Sequence, residues 1–193
     1  MTVSCAILSG GRSRRMGQDK ALIRIRNRTL IGRTYDVARK VFDDIVIVSN
    51  RHDSIEAVEV RIIPDVLPVS GSITGVVSAL LHSSAERIFI LGCDMPFLRE
   101  DAIRYMVGEV GDEDVFVPKT DAGYEPLHAI YSRTCISAFL SAIGRGKLKV
   151  TDVFPFLRVR TFRPNDLFYE NGIPVFTNVN TREDLERAQA SFE

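Results

Sequence analysis

The sequence predicts an α/β fold with a mainly parallel sheet, and three observations carry the prediction. Short, nearly continuous apolar runs rich in β-branched residues recur along the chain, as strands buried on both faces require. Stripes of apolar residues at helical spacing lie between them, and alternating strand and helix is the pattern of a parallel sheet covered by helices. The 193 residues, 45% hydrophobic and 26% charged, suffice for one core of moderate size, with no stretch that reads as linker, repeat or low complexity.

The first run, Val3 to Leu8, breaks at Ser9-Gly10-Gly11 and reads as a buried strand. It has no basic head and is too short for a signal peptide. Leu30, Ile31, Thr34, Val37, Ala38 and Val41 then recur at helical spacing. Ile45 to Val48 and Val60 to Ile63 follow as strands, and Val76, Val77, Leu80 and Leu81 as a helix. Ile88 to Leu91 is the next strand, Ala102, Ile103, Met106 and Val107 the next helical stripe, and Val115 to Val117 the strand after it. The second half is less regular. Pro126 to Tyr131 and Val159 to Phe162 read as strands, with Cys135 to Ile143 a helix between them. The chain closes on Val175 to Asn180, with Asn178 and Asn180 at a strand end, and then a helix. Thr181 is its N-cap, with Asp184 three residues on and acids in the first turn.

Composition narrows the function. Lys+Arg and Asp+Glu number 25 each, so the net charge is zero and a general polyanion binder is disfavoured. The three cysteines, Cys5, Cys93 and Cys135, are far apart with no paired spacing, which argues against a disulfide framework or a cysteine zinc site. No apolar run approaches the roughly 20 residues of a membrane span. The expectation is a soluble, cytoplasmic protein with neither nucleic acid nor membrane among its partners.

Ligands of open α/β sheets lie beyond the carboxyl ends of the strands, so the loops at 9–20, 49–52, 64–75 and 92–98 are the ones to inspect. The first, Ser9-Gly10-Gly11-Arg12-Ser13-Arg14-Arg15-Met16-Gly17-Gln18-Asp19-Lys20, joins glycines to full positive charge. Glycines let backbone N–H groups approach an anion, although a solvated basic turn has the same composition. Ten basic residues against two acids give residues 1–40 a charge of +8. The spacing fits neither the P-loop nor the dinucleotide fingerprint. Asp65 follows one predicted strand in Ile62-Ile63-Pro64-Asp65, and Asp94 another in Gly92-Cys93-Asp94-Met95-Pro96. A carboxylate facing a cationic phosphate loop suits Mg²⁺, which takes few protein carboxylates and fills its shell with water and phosphate oxygens. Asp94 equally suits a turn or cap, as does Asp65. Gly71-Ser72-Ile73-Thr74-Gly75 opens a helix whose N–H groups face outward to an anion or merely end in a glycine cap.

The string Leu8 to Leu22 resembles the signature of the nucleotidyltransferases that act on molybdopterin, and most closely the molybdenum cofactor guanylyltransferases, the MobA family. Cys93-Asp94-Met95-Pro96 resembles that family's magnesium motif, and Asp65 falls on its aspartate after the third strand. Gly71 to Gly75 resembles its Gly-Pro-Leu-Ala-Gly with Ser72 in place of Pro, and Val48 stands where the family often has a nucleotide-contacting Asn. Gly123 to Tyr131 resembles a strand the family uses near its pterin, and Phe176 to Leu185 its closing Asn-x-Asn-Thr-x-Glu-Asp-Leu. The resemblance runs from residue 3 to about residue 188.

What the resemblance implies is a single domain over residues 1–193, with a nucleotide-binding half at about 1–98 and an acceptor-binding half at about 99–193. Its fold would be a Rossmann-like three-layer sandwich of the nucleotide-diphospho-sugar transferase type, with one antiparallel strand. It would transfer GMP from GTP to the terminal phosphate of molybdopterin, the molybdenum cofactor, and release pyrophosphate. Lys20, Asp94 and Arg15 would be catalytic, with Mg²⁺ on Asp94. Leu8, Ser9, Gly10, Gly11, Lys20, Asn50, Asp65, Gly75, Asp94, Asn178 and Asn180 would bind substrate. Molybdoenzyme-maturation proteins are the expected partners. A cytidylyltransferase, a guanylyltransferase for another phosphorylated metabolite, and a non-catalytic nucleotide binder of the same fold are the alternatives.

Overall fold

The computed structural model describes residues 2–9, 20–50, 60–69 and 71–192, without the side chain of Lys20. Along the chain run β1 (Val3–Leu8), the short hairpin β2 (Arg24–Ile25) and β3 (Arg28–Thr29), α1 (Leu30–Ala38), β4 (Ile45–Val48) and β5 (Arg61–Ile63). Then come α2 (Ser72–His82), β6 (Arg87–Gly92), α3 (Glu100–Glu109), β7 (Val115–Thr120), β8 (Gly123–Tyr124) and β9 (His128–Ser132). The last are α4 (Ile136–Gly144), β10 (Val159–Phe162), the hairpin β11 (Tyr169–Glu170) and β12 (Ile173–Pro174), and α5 (Arg182–Ala190).

The sheet has the order β10-β7-β9-β6-β1-β4-β5, with β8 paired to β7. The pairs β6–β1, β1–β4, β4–β5 and β7–β10 are parallel. β9 is antiparallel to both of its neighbours, β6 and β7. Chain length explains the exception. Only residues 121–127, β8 among them, separate β7 from β9, too little for the crossover that a parallel pair needs.

The strands of the centre are buried along almost their whole length because both of their faces are covered. In β1, Ala6 and Leu8 join the cluster formed with α2 and α4, through Ile73, Val76, Leu80 and Phe139. Cys5 and Ile7 point the other way, into the cluster with Ile31 and Ala38 of α1 and Ala102, Ile103 and Met106 of α3. The period of two in side-chain direction thus gives three layers, helices on each side of the sheet. Burial drives this packing at about 25 cal/mol per Å² of apolar surface. A third cluster joins Ile23, Ile25 and Leu30 to Phe97, Val179 and Ala188, and so ties α5 to the first hairpin.

The predicted elements stand, with two changes. α1 stops at Ala38, and the turn bond from Val41 N–H to the Ala38 carbonyl takes the chain out of the helix. The segment before α5 is no strand end: residues 177–180 are irregular, because the Val179 N–H donates to the Asp94 carbonyl instead of to a ladder partner. Among the described residues no helix is long and apolar enough to cross a membrane.

Candidate active site

Four parallel strands, β6, β1, β4 and β5, end side by side, and Leu8 is in register with both Val48 and Gly92. The backbone stays stitched one residue further. Ser9 N–H donates to the Val48 carbonyl at 2.9 Å, Ser49 N–H to that of Ile63 at 2.8 Å, and Cys93 N–H to that of Leu8 at 3.1 Å. This edge therefore brings together Leu8, Ser9, Asn50, Asp65 and Asp94, all expected from the sequence. Gly10, Gly11 and Arg15 lie outside the described residues. Lys20 opens the short helix Lys20–Leu22.

Asp65 is clamped. Its carboxylate accepts from Asn50 Nδ2 at 3.1 Å, and its N–H donates to Asn50 Oδ1 at 2.8 Å. Ser78 of α2, bonded back to the Thr74 carbonyl at 2.8 Å, also faces Asp65 Oδ1 at 3.4 Å and accepts from the Val66 N–H at 2.9 Å. Burial raises the Asp65 carboxyl above its ordinary value, and the bonds from Asn50 and Ser78 work against that rise. Asn50, expected at the nucleotide, has both ends of its amide on Asp65. Val48 is buried among Leu8, Ile73 and Val76, with no polar atom to offer a ligand.

Gly75 works by close approach. A Cβ there would lie 3.1 Å from Leu8 Cδ1, so the missing side chain lets α2 rest on the last residue of β1. A helix that follows a parallel strand returns antiparallel to it, which puts the start of α2 at the carboxyl edge. Gly71 caps it with no side-chain bond, and N–H groups at such an end favour anions.

Asp94 lies in the turn after β6, half-buried. A Cβ at position 92 would come within 2.9 Å of Asp94 Oδ1, so Gly92 is the cradle in which the carboxylate rests. Its carbonyl accepts from the Val179 N–H at 2.9 Å, which carries Asn178 to the same turn. Asn178 Oδ1 is buried with no hydrogen-bond partner, an acceptor in place beside Asp94. Asn180 is exposed, and its N–H donates to Asp184 Oδ2 at 3.0 Å. That bond belongs to the cap of α5, where Thr181 and Asp184 satisfy each other.

Ser78 was missed by the sequence reading, although a lone hydroxyl in Val76-Val77-Ser78-Ala79-Leu80 was its signal. Glu125 lies within the Gly123 to Tyr131 stretch. It is a lone acid in Tyr124-Glu125-Pro126-Leu127, and it lines a second cleft further along the edge. Among the described residues no cluster of three or more His, Cys, Asp or Glu could hold a metal. That donor set suits a hard cation shared with phosphates and excludes a closed protein cage among those residues.

An open, mainly parallel sheet with carboxylates at the ends of β5 and β6 defines the chain as a nucleotidyltransferase. A nucleotidyl transferase from Methanothermobacter thermautotroptrophicus shares the fold, with a TM-score of 0.76 at 13% identity over 98% of this chain and 97% of its own. Residues 5–156 match the family described as the MobA-like NTP transferase domain, and the chain belongs to that family. The molybdenum cofactor guanylyltransferase of Desulfosudis oleivorans is 36% identical, over 99% of this chain and 96% of its own length. The crystal structure of molybdopterin-guanine dinucleotide biosynthesis protein A from Archaeoglobus fulgidus superposes with a TM-score of 0.83 at 27% identity, covering 97% of each chain.

Proposed function

We propose that this protein transfers GMP from GTP to the terminal phosphate of molybdopterin. An acceptor phosphate oxygen attacks the α-phosphorus, the bond from that phosphorus to the bridging oxygen breaks, and pyrophosphate leaves. One observation carries the reading. Asp65 and Asp94 both stand at the carboxyl edge of a chain that a molybdenum cofactor guanylyltransferase matches over 99% of its length.

The attacking phosphate is already ionised at neutral pH, so positioning and charge neutralisation suffice and no strong base is called for. His128, at the start of β9, is fully buried and held neutral, which fits that economy. Mg²⁺ would be held by Asp94 in its Gly92 cradle and would neutralise phosphate charge as the bonds exchange. Asp65, oriented by Asn50 and Ser78, would serve the nucleotide from the neighbouring strand. Lys20 would face the α-phosphate and leaving group, while Gly10, Gly11 and Arg15 would cradle the triphosphate. Leu8 and Ser9 would run along the base, with the start of α2 beyond Gly75 at the phosphates. Asn178 and Asn180 would face the acceptor. Residues up to about 98 would form the nucleotide half and those from about 99 the acceptor half.

The test is pyrophosphate release with Mg²⁺, molybdopterin and each of the four nucleoside triphosphates in turn. Release with GTP alone is expected. Release with CTP would keep the chemistry and overturn the base, and GTP binding without release would overturn the transferase reading.

A further inference from the structure

The layer that α2 and α4 form over one side of the sheet has an outer face of its own. α4 carries no charged residue from Ile136 to Gly144. Phe139 and Ala142 turn inward and are buried, while Leu140 is exposed on one flank of the helix. After α4 the short helix Val150–Phe156 packs against it. There Val150, Val153 and Phe154 are buried, and Phe154 meets Tyr124 edge to face at 5.0 Å. Phe156 is left outside, 70% exposed, more than any other large apolar side chain among the described residues. The Arg145 guanidinium, at the C-cap of α4, stands 5.9 Å from the centre of its ring. At 100° per residue, Arg145 and Leu140 lie on opposite flanks of α4. Leu140 and Phe156 therefore border the outer face of the helix on its two sides.

Charge says what covers that face. Between Glu125 and Asp152 the chain has Arg133, Arg145, Lys147 and Lys149 and no acid, although the whole protein is neutral. Arg133 gives its guanidinium to the Ser83 carbonyl, and Arg158 is paired with Asp112 and Asp114. Arg145, Lys147 and Lys149 are exposed and meet no acid among the described residues. A second copy of the chain would set these cations against their own kind with no acid between them. A lipid surface asks for a broader apolar face than two side chains provide. The backbone of α4 is satisfied within the helix, so an extended strand finds no ladder to join, and recognition falls to side chains.

We propose that the outer face of α4, between Leu140 and Phe156, docks an acidic amphipathic helix of a partner protein, with Arg145 and Lys149 receiving its carboxylates. An exposed aromatic beside an arginine is the usual centre of such a contact, and charge complementarity steers the encounter. The docked helix would lie next to the carboxyl edge without closing it: the Leu148 carbonyl is 3.3 Å from the place a Cβ would take on Gly71, at the start of α2. The docking needs no particular reaction at that edge.

The test uses a fluorescein-labelled helical peptide of about 18 residues, with leucines at i, i+3, i+4 and i+7 and glutamates elsewhere. By anisotropy it should bind the full chain with a Kd on the order of 10 μM, more weakly as salt rises. Phe156→Ser and, separately, Arg145→Glu with Lys149→Glu should each weaken binding about tenfold, with circular dichroism and pyrophosphate release unchanged. No binding, equal binding to Phe156→Ser, or equal binding of the same peptide with lysine for glutamate overturns the proposal. So does a wild-type dimer in light scattering that Phe156→Ser makes monomeric, which would give the face to a second copy. Co-sedimentation with phosphatidylserine vesicles that Phe156→Ser abolishes would give it to a lipid surface and also overturns the proposal.

Discussion

Asp94 is restrained at both ends, its carboxylate by the space over Gly92 and its carbonyl by the Val179 N–H. Asp94→Ala removes the first restraint's purpose and keeps the second, so the fold should survive while Mg²⁺-dependent pyrophosphate release falls by about 100-fold or more. His128 is a different kind of residue. It is fully buried, its two ring nitrogens have no hydrogen-bond partner, and Phe89, Phe168 and Phe176 meet it edge to face. Burial lowers its pKa from 6.5 to about 3. Between those values the unfolded chain binds a proton that the folded chain does not, so stability drops as pH is lowered, by at most about 1.4 kcal/mol per unit. Glu125 has the opposite sign: from about 7 down to its ordinary 4.5 the folded chain holds the extra proton, and stability gains as pH falls. Denaturant midpoints measured from pH 4 to 8 should therefore tilt one way in His128→Phe and the other in Glu125→Gln. Asp65 and Asp94 were legible because each follows a readable strand. Ser78 and Glu125 were not, because their meaning lies in which strand or helix faces them across the fold.

Among elements, α2 is set by a close approach. Its contact with Leu8 through Gly75 fixes the distance between a helix start and the carboxyl edge. Gly75→Val should force that contact apart, at a cost of about 1–3 kcal/mol in chemical denaturation, and weaken GTP binding in titration calorimetry. The main strands and helices could be read because each has a burial pattern of its own. β2, β3, β11 and β12 have two residues each, too few to show a period, and their reality depends on tertiary partners. The closing segment deceived for a related reason. Val179 is buried by Phe97 and the first hairpin, and Val175 and Phe176 by the face of the sheet that α1 and α3 cover, none of them as a member of a strand.

At the scale of the molecule, the site turn, α1 and the end of α5 meet at Phe192. Its ring stacks on Phe97, three residues past Asp94, at 5.2 Å and 11°. The Arg33 guanidinium covers it at 3.9 Å from the ring centroid. Phe192→Ala should cost about 1–2 kcal/mol and make α5 the first site of limited proteolysis, and Phe192→Tyr should restore resistance. The three-layer architecture was readable from alternation alone, whereas this clasp joins residues too distant in sequence for any local pattern to announce them.

The clasp also orders events in time. The carboxylates of β5 and β6 emerge from the ribosome about a hundred residues before the segment that holds Asp94's carbonyl and Phe97's ring. A nascent chain can thus lay down its central strands and still have an unfinished catalytic edge. The segment around Val179 and Phe192 completes it, so a chain cut before Val179 should keep its central strands and lose activity.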